Sequence, residues 1–173
     1  VKALTIYQPW ATLITLGVKR METRSWDTKV RGPVAIHAGL AWPCRLGQRV
    51  EVGPYEVERD QSGLLLRGPF MAWPYRLPMG AVVAIGDLFQ TRSTTNPEHC
   101  PDDWERSLGD HSPGRFAFSF ASISRMVEPI PAVGRQRFWA WDMPAGLVLR
   151  AVARLAVPPS RPVVDVPVAG DHL

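Results

Sequence analysis

Six side chains between positions 19 and 37 could carry chemistry: Lys19, Glu22, Arg24, Trp26, Arg31 and His37. In an extended Arg20–Trp26 segment, Glu22, Arg24 and Trp26 share one face, and Met21, Thr23 and Ser25 share the other. On the first face a guanidinium can meet a phosphate or a base edge, and a carboxylate can accept from a base amino group. An indole beside them can stack under a base, an effect of ~1–3 kcal/mol. Lys19 can pair with a phosphate or a base carbonyl, or act as a base if burial lowers its pKa. Each residue also has a plainer reading. Lys19 can be a solvated lysine at a helix end. Glu22 and Arg24 can be an ion pair of little energetic weight. Trp26 can be core, and His37 a hydrogen-bonded structural histidine.

Those residues must be positioned by the elements around them. ALTIY (3–7) reads as a short strand. Pro9 suits the first turn of a helix, Trp10, Leu13 and Ile14 follow at the spacing of one buried face, and Gly17 is a helix stop. The helix is therefore expected over 9–17, with Trp10 in the core. The period then changes toward two. Arg31-Gly32 marks a turn into a second strand, PVAIHA, where His37 faces away from Val34 and Ile36.

Downstream, VEVGPYEVER, DQSG and LLLRG read as two strands around a turn. GAVVAIGDLFQ (80–90) is a buried strand with Asp87 near its end. The polar stretch 91–114 is long for a plain loop and is expected to hide a short helix around Asp103–Ser107. Phe116, Phe118 and Phe120 alternate with small residues as in a strand, and RFWAWD (137–142) reads as another. Residues 144–157 read as a helix, and the Pro/Val-rich end as a tail. The expectation is a single α+β domain over 1–157, a small mixed β-barrel with a few flanking helices and six or seven strands, followed by a tail over 158–173.

Of twenty Lys and Arg residues seventeen are arginine, and the net charge is +4. Arginine suits phosphate and base edges, so nucleic acid is the first class of partner; a GC-rich genome would give the same bias. No apolar run approaches the ~20 residues needed to cross a bilayer, and the first residues lack the pattern of a secretory signal. A cytoplasmic protein with no membrane partner is expected. Cys44 and Cys100 read as free thiols. His99, Cys100 and His111 lack the paired short spacing of a zinc site, and no P-loop, Rossmann or Ser-His-Asp pattern occurs. The sequence calls for no metal and no cofactor.

Gln8–His37 resembles the ASCH family, the activating-signal-cointegrator homology domain of the PUA-like superfamily. The resemblance rests on QPWA (8–11), on Gly17, Lys19, Glu22 and Arg24 as G-x-K-x-x-E-x-R, on Ser25-Trp26, and on Arg31-Gly32 opening a strand that ends in His37. LPMGAVVAIGDL (77–88), GRFAFSF and VEPIPAVGRQRFWAWD echo it more weakly. The resemblance implies a β-barrel with a cleft beside the early helix, and a partner that is RNA, DNA or a nucleotide-like ligand. In the family's amidohydrolase branch, which removes acetyl from N(4)-acetylcytidine, a lysine, a threonine and an acidic residue do the chemistry. Lys19 matches the lysine; Glu22 stands where the threonine would be.

The first expectation is therefore a nucleic-acid-binding domain, RNA ahead of DNA. Lys19, Arg24 and Arg31 would meet phosphate or base acceptors, Glu22 an amino group, and Trp26 a base; His37 would face the cleft, and Arg92 and Arg115 would extend the basic track. The second is a small hydrolase acting on modified nucleosides or RNA, with Lys19 as base and Glu22 or Asp87 as its carboxylate partner. The third is a protein-interaction module.

Overall fold

The computed structural model describes residues 1–69 and 74–151. Strand β1 (Lys2–Ile6) leads into helix α1 (Trp10–Thr15), which is shorter than the expected 9–17. Gln8 holds the junction: its carboxamide accepts from the Thr12 amide at 3.1 Å and donates to the Pro78 carbonyl at 2.7 Å. Gly17 follows with φ +72°, the left-handed conformation that stops a helix. Strands β2 (Met21–Arg24) and β3 (Gly32–Ala38) come next, as the change of period predicts.

The expected hairpin is a three-stranded meander. Gly53 (φ +56°) turns the chain inside VEVGPYEVER, so that stretch becomes β4 (Arg49–Val52) and β5 (Tyr55–Asp60), followed by β6 (Gly63–Arg67). With β7 (Tyr75–Arg76) they form a four-stranded antiparallel sheet. Beyond it lie β8 (Ala81–Ser93), helix α2 (Asp103–Ser107), β9 (Phe116–Pro131), β10 (Phe138–Ala140) and β11 (Leu149–Ala151). Strand β8 runs past the expected end, which leaves Asp87 in its middle.

The larger sheet runs β10-β1-β3-β8-β9-β11, with β2 also pairing with β9. It is mixed: β1 and β3 are parallel, joined through α1, and the other pairs are antiparallel. Register shifts between β8 and β9 mark bulges that bend both strands. Gly86 permits the bend, because a Cβ there would lie 2.7 Å from Phe120 Cδ1. The result is a strongly curled half-barrel, a small α+β barrel-like fold.

The helix expected over 144–157 is absent where the chain is described. Gly146 has φ +72°, and Leu149–Ala151 pairs instead with Ser124–Met126, an edge of β9 that β2 is too short to cover. Residues 152–157 and the 158–173 tail lie outside the described residues.

Helix α1 separates two cores. Ala11 and Ile14 pack with Leu4, Ile36, Leu88 and Phe118 inside the barrel. Leu13 packs with Val57, Leu64, Leu66 and Leu108 under the smaller sheet. Trp10, expected in the core, is half-buried and touches both. No helix among the described residues is long and apolar enough to cross a membrane.

Candidate functional site

Two clefts open on either side of Tyr7 and Arg24, which line both. The first, about 590 Å³, lies between the barrel and the smaller sheet, beside α1. Its charged lining is balanced: Lys19, Arg24 and Arg115 against Glu22, Glu51 and Asp110. The second, about 610 Å³, lies beyond the end of β1 under the 132–137 loop. Arg24, Arg135 and Arg137 line it with Trp26, His37 and Gln136, and no carboxylate does.

Lys19 is at the floor of the first cleft. It is 1% exposed, and its Nζ pairs with Glu105 Oε1 at 3.3 Å. Glu105, fully buried on α2, also accepts from the Met21 amide at 3.0 Å and the Arg20 amide at 2.9 Å. This carboxylate therefore ties α2 to the turn that leads into β2. A chain pass over Lys19 requires Gly109, where a Cβ would lie 2.7 Å from Nζ. The carboxylate paired with Lys19 is therefore Glu105, not Glu22 or Asp87, the partners expected for it in the hydrolase reading. Asp87 is exposed in mid-β8 and lines neither cleft.

Glu22 and Arg24 do share a face of β2, and they form an ion pair of 3.1 Å. The same Arg24 nitrogen donates to the Thr5 carbonyl at 2.7 Å. Across the first cleft Arg115 pairs with Asp110 at 3.3 Å and donates to the Thr23 carbonyl at 3.0 Å. Hydrogen bonds from Ser112, ahead of the Arg115 charge, hold the Asp110 carboxyl below its ordinary value.

Trp26 lines the second cleft and meets Phe118 and Phe138 edge to face, with ring centroids 5.0 and 5.6 Å away. The Arg137 guanidinium lies 5.5 Å from that ring. Among the described residues neither Arg135 nor Arg137 meets a carboxylate. His37 is buried, so the expected open histidine is instead a support beneath the loop. Its Nε2 lies 3.0 Å from the Ala132 carbonyl and donates to it, and burial pushes its pKa below the ordinary value despite that bond. Gly134 covers the other ring nitrogen.

The structure thus brings together Lys19, Glu22, Arg24 and Arg115 in one cleft and Arg24, Trp26 and His37 in the other. Arg31 and Arg92 line neither. Arg31 is exposed and donates to Thr28, Val30 and Thr91, and Arg92 pairs with Glu98 at 3.2 Å. Sequence reasoning missed Glu105, Asp110, Tyr7, Arg135 and Arg137. Asp102 and Glu105 stand at capping-box spacing, a signal for the helix start that also brings Glu105 to notice. The RQR triplet after Gly134 was a visible cationic signal. Among the described residues no three metal-ligating side chains converge.

Residues 4–62 match the sequence profile of the ASCH domain family. The chain carries an ASCH domain. It is also 32% identical over 141 residues to activating signal cointegrator 1 of Mus musculus and, to the same degree, to that of Homo sapiens. The aligned stretch is 80% of this chain, but the chain spans only 22% of the length of those relatives. The ASCH profile covers the early motif that walls the first cleft; the arginine loop of the second cleft lies outside it.

Proposed function

We propose that this ASCH domain binds nucleic acid, RNA ahead of DNA, through the second cleft. One observation carries the reading: Arg24, Arg135 and Arg137 converge beside Trp26 with no carboxylate among the lining residues. Arg24 is paired with Glu22, but the Arg135 and Arg137 guanidinium groups meet no carboxylate among the described residues and attract a phosphate backbone, and an aromatic ring next to them gives a base a stacking surface. Most other arginines of the site region are matched by acids, so the positive potential concentrates here. Exposed Leu40 and Val133 rim the same cleft and add apolar contact for a base or sugar. The family resemblance supports the same class of partner.

The test is binding of a labelled single-stranded RNA across a salt series. Affinity should fall linearly on a log–log plot as salt rises, and Arg135→Ala with Arg137→Ala should flatten that slope by about 0.7 per arginine removed. Binding insensitive to salt, or unchanged in the double variant, would sink the reading. Retention of protein partners but no RNA by the wild-type domain would favour the protein-interaction reading instead.

A further inference from the structure

The two clefts share a wall, and the Arg24 side chain links their linings directly: its Nη2 lies 3.1 Å from Glu22 in the first and 2.7 Å from the Thr5 carbonyl in the second. Their electrostatics differ. The second is cationic and without carboxylates; the first sets three cations against three carboxylates. A polyanion gains little net attraction from the balanced cleft. A neutral group with donors and acceptors on its edge suits it well, because each finds a charged partner.

We propose that the clefts form one site for a nucleotide turned out of a single strand. The strand's phosphates lie on Arg135 and Arg137, and one base passes over Tyr7 into the first cleft. This rests on the nucleic-acid reading above and deepens it. Tyr7 is 55% exposed at the divide, and Gly39 leaves room for its ring, since a Cβ there would lie 3.0 Å from Tyr7 Cδ1. Trp10, Val52 and Leu108 supply apolar walls, and the volume of about 590 Å³ falls within the range of small-ligand sites. Glu22 accepts from an exocyclic amino group. Arg24 and Arg115, which line the same cleft, donate to a ring nitrogen or carbonyl. The inserted base is therefore one that carries an amino group: cytosine, adenine or guanine rather than uracil, whose carbonyl would face the Glu22 carboxylate.

An oligonucleotide with a central 2-aminopurine tests insertion, because stacking quenches its emission and extrusion restores it. Adding the domain at low salt should raise emission several-fold, and oligo(C) should compete several-fold better than oligo(U). Glu22→Gln should bring the two competitors to equal strength, since an amide can both donate and accept. If that variant does not fold, the wild-type emission and competition still decide, and Arg115→Gln should lower the emission rise. Salt-dependent binding with quenched emission and equal competition would overturn insertion while leaving nucleic-acid binding intact. Absence of strand binding would overturn both.

Discussion

The first cleft holds more charged side chains than the second, yet the second is the cationic one. In the first, each cation has an acid beside it: Lys19 with Glu105, Arg24 with Glu22, Arg115 with Asp110. In the second, Arg135 and Arg137 stand on an exposed loop with an indole for company. The density of ionisable residues is thus a poor guide to where an anion binds; the pairing of those residues decides it. The two buried members, Lys19 and Glu105, belong to the architecture, because a pair taken out of water must stay intact.

The largest expected effect tests that architectural role. Glu105→Ala leaves Lys19 buried without its partner and two backbone amides without an acceptor, and should cost about 3–5 kcal/mol of stability in chemical denaturation. A cost below about 1 kcal/mol would dissolve the contrast between a structural floor and a binding loop. Arg135→Ala with Arg137→Ala should do the reverse: stability within about 0.5 kcal/mol of wild type, but a salt slope of RNA binding reduced by about 1.4. Arg115→Ala, in the balanced cleft, should change that slope by less than either loop arginine. Equal slopes would erase the distinction between the clefts.

A smaller effect joins fold and loop. At Gly134 a Cβ would lie 2.5 Å from His37 Cε1 and 2.7 Å from Nδ1, and the His37 ring is itself buried. Gly134→Ala should cost about 1–3 kcal/mol and weaken binding by displacing the arginines that follow it. The smallest effect is on pH. Burial lowers the pKa of His37, His99 and His111 below the ordinary 6.5. The unfolded chain therefore takes up protons first as pH falls through 6.5, so stability drops from there until the folded-state values are reached, and is fully present above it. Urea midpoints at pH 7.5 and 5.5 should differ in that direction, at a pH still above the carboxylate range.

Much of the barrel was legible in the sequence because local chemistry specified it. Pro9 and Gly17 bracket α1, alternation marks β2, β3 and the start of β9, and the length of the polar stretch 91–114 signals α2. The misread elements depend on partners distant in the chain. Residues 149–151 become a strand because β9 has an unpaired edge for them. Asp87 lies in mid-strand because β9 is long enough to extend β8 to Ser93. Site residues divide in the same way. The shared face of Glu22, Arg24 and Trp26 follows from a two-residue period, whereas Arg31, Arg92 and Asp87 lie close in sequence or charge but on other surfaces.

By itself the sequence determined the family, the early helix–strand motif and the excess of arginine, since these depend on residue types and spacings along the chain. Only the tertiary structure decided which charges are neutralised. Glu105 reaches Lys19 across 86 positions, and Arg137 comes to Trp26 from the far end of β9. Electrostatic pairing depends on distance in space and on burial, and neither can be read from position in the chain.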